Sequence, residues 1–358
     1  MNKSNYQFYT TKFSQRESAC SLCKSTSGNL VGKMNYIGLG KYNVFQCPSC
    51  GLSSFDPIPS GEITGLGCKI LYQIQQSSET QEKILRGFAR SYRRGGHFAR
   101  TYLTDFFNKS QKIKILEIGA GDGYFSQGIK AYFKNADISY VDIVEDLIIY
   151  YKEHFPEATS IAGEFTKDLF PNQKFDLVIA RDLLEHLTNP DSFLKDTESI
   201  LNNKGLFFFI TPNGREDLWT CNQHLKQKNR ELFLFLNHYH YYLPETIDKL
   251  LERYGLIKKV FFKFGLKHHR KGLGHKEINI TETQNPTFAQ SGDNLKLVSD
   301  YWRHDVSSIK RKILHNNKFI SKLYSKIADK EKQKVNYYAP HGHEFFVIAQ
   351  KEGSTLTL

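Results

Sequence analysis

The sequence predicts an α/β protein: a doubly wound, mostly parallel, seven-stranded sheet behind a small cysteine-rich module. Three observations lead there. From residue 113 onward, short apolar runs alternate with helical segments, the order a parallel sheet with crossover helices requires. The first apolar run ends in a glycine turn, Gly119-Ala-Gly121-Asp-Gly123, that opens a helix. Residues 1–59 read differently, with four of the six cysteines gathered in two tight pairs among Gly, Ser, Asn and Pro.

Taken in order, residues 60–110 read as helical, with Gly95-Gly96 expected to interrupt the helix. IKILEIG is a buried strand, followed by the helix YFSQGIKAYFK, the strand ADISYVDI and the helix EDLIIYYKEHF. A weak strand TSIAGE precedes the strand FDLVIARD, the helix NPDSFLKDTESILNN and the strand GLFFFITPN. The helix LPETIDKLLERYG and the strand LIKKVFFKFG follow, and HEFFVIAQK closes the sheet. The expected division is a metal-binding module at 1–59, a helical linker or cover at 60–110, and the core at 111–265. A basic insertion with helices follows at 266–340, and the last strand with its tail at 341–358. The insertion reads as a substrate cover or an interaction surface.

The pairs are Cys20-x-x-Cys23 and Cys47-x-x-Cys50. Two such turns can place four thiolates around one tetrahedral Zn²⁺, as in a zinc ribbon, with an iron or redox role as the alternative. Four thiolates fill the coordination shell and leave no position for a catalytic water, so the expected role is structural. Cys68 and Cys221 lack partner spacing and read as small buried apolar residues.

The formal charge is +12, which favours anionic partners: phosphorylated small molecules, nucleic acid or an acidic surface. Abundant Lys, Asn, Ile, Phe and Tyr offer a plainer, compositional reading of the same charge. The longest apolar run, Leu206 to Ile210, is far too short to span a membrane. The first residues carry no apolar segment of a secretory signal, and a cytoplasmic protein is the expectation.

Ile115-Leu-Glu117-Ile-Gly119-Ala-Gly121-Asp-Gly123-Tyr-Phe lacks the G-x-G-x-x-G spacing of dinucleotide sites. It resembles the first motif of class I methyltransferases, a Rossmann-like family that uses S-adenosyl-L-methionine. The resemblance runs over roughly 111–265. It implies that Glu117, Gly119 and Gly121 line the cofactor and that Asp142, ending YVDI, takes the ribose hydroxyls. It also implies that Glu164 and Phe165 flank the adenine, with Arg181 in the same site. An exposed strand-end acid is the plainer reading of Asp142, and Glu185 and His186 read equally well as structural polar residues.

With its cysteine pairs, the chain further resembles bacterial methyltransferases that have an N-terminal zinc domain and modify sugars or other small metabolites. The segment from Phe235 to Tyr242 matches their Tyr-x-Glu-His stretch at His238, while Phe235 and Asn237 replace the tyrosine and glutamate. That departure tells against C-methylation of a keto sugar. The implied function is methyl transfer to a small, anionic acceptor: a sugar, a sugar nucleotide or another glycan or secondary-metabolite precursor. His238 and His240 are the candidate bases, and packing histidines are their plainer reading. Two other functions stay open. One is RNA methylation, which basic charge and a zinc ribbon would suit but which no recognisable RNA-binding module supports. The other is a non-catalytic scaffold. The sequence leaves the oligomeric state open.

Overall fold

The computed structural model describes residues 13–36, 41–66, 81–214, 232–234, 238–264 and 344–353. Its N-terminal part holds β1 (Phe13–Gln15), β2 (Ser27–Tyr36), β3 (Lys41–Gln46) and β4 (Ser53–Asp56), then a short helix α1 (61–66) and the long α2 (Gln81–Thr101). The alternating part follows: β5 (Lys114–Ile118), α3 (Tyr124–Tyr132), β6 (Asp137–Asp142), α4 (Glu145–His154), β7 (Thr159–Ala162), β8 (Phe175–Arg181), α5 (Pro190–Ile200) and β9 (Leu201–Pro212). The chain ends with β10 (Leu232–Leu234), β11 (His240–Tyr241), α6 (Pro244–Arg253), β12 (Leu256–Phe264) and β13 (Glu344–Lys351).

The large sheet has the order β12-β13-β9-β8-β5-β6-β7. All neighbours from β7 to β9 pair in parallel, and β13 runs antiparallel to both β9 and β12. This is the expected Rossmann-like α/β sheet of seven strands. Its central strands are buried on both faces, so they read as continuous apolar runs, while the edge strands β7 and β12 are partly exposed. Alternation along a strand divides those runs between two cores. In β9, Leu206 and Phe208 join Phe98 of α2, Phe125 and Ile129 of α3 and Phe133 at its C-cap, while Phe207 and Phe209 join the opposite core with α5 and α6. Phe208 stacks on Phe98 at 4.2 Å between ring centroids. Asn189 caps α5 by accepting from the Ser192 amide at 3.2 Å, ahead of Pro190.

The second sheet has the order β1-β2-β3-β4-β11, with β10 added parallel to β2. The cysteine-rich module is therefore completed by two strands from the region after β9. The predicted 266–340 insertion, Cys68, Cys221, Phe235 and Asn237 lie outside the described residues.

One expectation is corrected. Gly95 and Gly96 do not interrupt α2, which is continuous from Gln81 to Thr101. They allow two helices to cross in contact. A Cβ on Gly95 would lie 1.9 Å from the Phe125 carbonyl oxygen of α3, and one on Gly128 would lie 2.0 Å from the Tyr92 carbonyl oxygen of α2. Backbone meets backbone there, so nothing can move aside cheaply. Gly95→Ala is expected to destabilise the protein by about 1–3 kcal/mol in denaturant unfolding, the range for overpacking. Gly87→Ala, in the same helix with nothing within 4 Å of its added carbon, should be neutral or stabilise by up to about 1 kcal/mol through helix propensity. Equal effects of the two would contradict the close crossing.

Candidate functional site

The carboxyl ends of β5, β6 and β8 converge on the glycine turn. Gly119, Gly121 and Gly123 all have left-handed φ, at 63°, 60° and 71°. Side chains hold the turn from behind. Tyr151 donates its hydroxyl to the Gly121 carbonyl at 2.8 Å, and Tyr140 donates to the Gly123 carbonyl at 2.9 Å. A Cβ on Gly123 would lie 2.9 Å from Phe155, whereas one on Gly121 would meet nothing within 4 Å. The turn is thus packed on its inner side and open at Gly121, where a ligand can approach the backbone.

Asp142 ends β6 beside this opening and is buried. Its carboxylate accepts from the Val144 amide at 3.0 Å, and the Gly121 and Ile143 amides also donate to it. Burial nevertheless pushes its pKa up to about 6. Asp122, which sequence reasoning missed, is a second such carboxyl. Burial pushes it up to about 6, against the pull of Arg181 and hydrogen bonds from Ser91 and the Tyr124 amide. Its signal was legible, since an Asp in a turn commonly accepts from the amide two residues on.

Glu117 and Arg181 are brought together, but they are engaged with each other. Glu117 is 1% exposed. One of its oxygens accepts from Arg181 Nε at 3.1 Å and Nη2 at 3.0 Å, and the other from the Ser126 amide at 3.2 Å and the Ser126 hydroxyl. The guanidinium lies 4.1 Å from the Phe125 ring centroid. Glu164 is exposed just past β7. Phe165 is buried in the core, edge-on to Phe193 at 5.5 Å, so its ring is committed to packing.

A second cluster lies beyond β8. Glu185, 1% exposed, accepts from the Thr211 hydroxyl at 2.9 Å through Oε2. Its Oε1 lies 3.8 Å from His186 Nε2 and 4.0 Å from His238 Nε2. Burial pushes the Glu185 pKa up to about 8, with His238 opposing. The two imidazoles meet edge to face at 5.1 Å. His240 is not part of this group. It lies in β11, opposite Ser54 of β4, and burial lowers its pKa to about 4, as expected of a neutral packing histidine.

The four cysteines Cys20, Cys23, Cys47 and Cys50 converge, with their sulfurs all within 4.8 Å of one another. Cys20 and Cys50 are 3.6 Å apart and Cys23 and Cys47 are 3.3 Å apart. In each turn the residue after the second cysteine is left-handed, Lys24 at φ 63° and Gly51 at φ 82°. Helix α6 packs across both turns: Thr246 donates to the Cys50 carbonyl at 3.2 Å, Lys249 to that of Ser49 at 2.8 Å, and Arg253 to that of Leu22.

Comparison with known proteins fits this geometry. Residues 89–257 match the family described as "Methyltransferase domain". Among curated relatives, a malonyl-[acyl-carrier protein] O-methyltransferase of Priestia megaterium is 33% identical over 138 residues, covering 37% of this chain and 48% of its own length. A ubiquinone biosynthesis O-methyltransferase of Glaesserella parasuis is 26% identical over 123 residues, covering 31% of this chain and 50% of its own length. The chain thus spans about half the length of these relatives. Among solved structures, the plantazolicin methyltransferase BpumL in complex with SAH is similar at 15% identity and a TM-score of 0.42, covering 81% of this chain and 98% of that one. Among the described residues, no helix is long and apolar enough to cross a membrane. The match to a methyltransferase domain thus falls on residues 89–257, which hold the glycine turn and the strands from β5 to β9.

Proposed function

We propose that the whole chain transfers a methyl group from S-adenosylmethionine to a small, anionic acceptor. The observation that carries this reading is the glycine turn, braced from behind and open at Gly121 beside the buried Asp142. Gly119 and Gly121 would face the amino-acid moiety of the cofactor. Asp142 would accept the ribose hydroxyls, and Glu164 at the next strand end would lie toward the adenine. Glu117 and Arg181 would act by fixing the turn. Residues 60–110 would form a cover over the 111–265 core, and the Ser91–Asp122 hydrogen bond supports that.

Charge supports an anionic acceptor. Desolvation and the like-charged Arg90 and Arg181 hold Arg94 of α2 below the usual arginine range, with Glu344 the opposing charge. That surplus of positive charge beside Arg181 favours a carboxylate or phosphate. The double cysteine turn and the His238 segment favour a sugar, sugar nucleotide or other glycan or secondary-metabolite precursor. The names of the two relatives support oxygen as the methylated atom. Removing the acceptor's proton falls to His238, which is 6% exposed and adjoins Glu185.

The four thiols suit one structural zinc. A tetrahedral site with Zn–S bonds of about 2.3 Å separates its sulfurs by about 3.8 Å, close to the separations here. Elemental analysis of purified chain should find about one zinc per molecule. Cys47→Ser should lower this sharply and, because α6 and β11 rest on the module, should also lower the thermal midpoint of the whole chain. Full thermal stability without zinc would contradict both statements.

Calorimetric titration with S-adenosylmethionine tests the cofactor site. Asp142→Ala should weaken binding by about 1.5–3 kcal/mol, the range for hydrogen bonds to a charged group. Wild-type affinity in that variant would misplace the ribose. The sign of the pH dependence follows from the raised pKa. Burial lifts Asp142 from its unfolded value of about 4 to about 6, so its contribution to fold stability declines as pH rises through that window. The cofactor's hydroxyls need the ionised form, so affinity should be highest above about pH 6. It should fall roughly tenfold by about pH 5, one proton being taken up per molecule. A flat profile would contradict the assignment.

A further inference from the structure

We propose that Glu185 is the positioning partner of His238, a buried carboxylate that orients the imidazole and compensates the charge it acquires on taking a proton. This rests on the reading of His238 as the base. Three features carry it. The first is an unsatisfied atom: Glu185 Oε1 is buried and has no hydrogen-bond partner among the described residues, a costly state for a carboxylate. The second is direction. Thr211 secures Oε2, which leaves Oε1 toward the Nε2 atoms of His186 and His238. The third is backbone registration. The Tyr239 amide donates to the Glu185 carbonyl at 2.8 Å, and the Phe55 amide donates to the Tyr239 carbonyl at 2.9 Å. The residue after His238 is thereby fastened both to Glu185 and to β4 of the cysteine module.

His238 is the better-placed of the two imidazoles. Its side chain is 8% exposed against 24% for His186, and the His186 ring packs edge to face against it. An inward movement of about 1 Å brings Nε2–H of His238 into hydrogen-bond range of Oε1. That bond selects the tautomer with a proton on Nε2 and leaves Nδ1 as the basic nitrogen. In the transfer step, an acceptor hydroxyl forms its O–CH₃ bond as the S–CH₃ bond breaks and its electron pair returns to sulfur. The hydroxyl proton passes to Nδ1, and the imidazolium is paired with the Glu185 carboxylate until solvent takes the proton. Among the described residues, Asp182 just past β8 acts on both members of the pair, His186 adjoins Glu185, and Arg181 and Arg94 act on Asp182.

The test needs no acceptor. Histidine side-chain ¹⁵N signals of the full, zinc-loaded chain are followed through a pH titration, with His238 assigned by the signal lost in His238→Gln. Above about pH 8, where the buried Glu185 is ionised, His238 should be the Nε2–H tautomer, and the proton the pair takes up below that pH should be shared between imidazole and carboxylate. Glu185→Gln should lower the His238 pKa by about one unit or more and mix the tautomers. Should Glu185→Gln fail to fold, Thr211→Val, which frees Oε2, should change the His238 tautomer ratio or pKa measurably. An unchanged His238 titration in a folded variant overturns the pairing. So does joint broadening of the His186 and His238 signals by stoichiometric Mn²⁺, which would make the cluster a metal site. Calorimetry with S-adenosylmethionine on the same wild-type sample separates the two readings. A coupled pair in a chain that does not bind the cofactor would leave the pairing standing and remove the methyl-transfer role.

Discussion

The site depends on one buried charge pair, Glu117 with Arg181. A carboxylate withdrawn from water costs several kcal/mol unless donors replace its solvation. Here four do: two N–H groups of a guanidinium, one helix amide and one hydroxyl. Because these donors come from Arg181 of β8 and Ser126 of α3 while the carboxylate belongs to β5, the pair joins β5, β8 and the first turn of α3. An arginine suits this position better than a lysine would, since two N–H groups of its guanidinium converge on one carboxylate oxygen and its planar face lies on Phe125. With α3 held, its starting glycine turn is held too, and the tyrosine hydroxyls of α4 and β6 complete the brace. The opening at Gly121 is what remains after everything around it has been fastened.

The cysteine module belongs to the same mechanical system. Its sheet is finished by β11, its turns rest on α6, and Cys20, Cys47 and Cys50 share a hydrophobic core with Leu184, Tyr242 and Ile247. The strand that finishes the sheet starts two residues after His238. The placement of that histidine therefore depends on contacts from both sheets. A module read from its cysteines as a separate front domain is, in three dimensions, one wall of the region around Glu185.

What the sequence made legible was local. The change from helical to alternating apolar patterns located the seven strands, because a sheet buried on both faces needs uninterrupted apolar runs. The glycine turn and the cysteine pairs were legible because few residue types satisfy a left-handed backbone or a thiolate cluster. What stayed hidden depended on partners far along the chain. Gly95-Gly96 reads as a break by propensity and is a helix crossing by contact with Phe125. Glu117 and Arg181 read as ligand-facing until their 64-residue separation is closed by the β5–β8 pairing. No local pattern announces that β10 and β11 leave the large sheet's neighbourhood to join the N-terminal strands, or that Glu185 lies between two histidines.

The central claim is that Glu117 and Arg181 act as one unit on the proposed cofactor site, through the turn they hold. A double-mutant cycle on S-adenosylmethionine affinity measures this most directly, using Glu117→Gln, Arg181→Met and the double variant. The account predicts that each single change weakens binding and that the double variant is no weaker than the worse single one. Losses that simply add would mean that each side chain meets the cofactor on its own, and would contradict it.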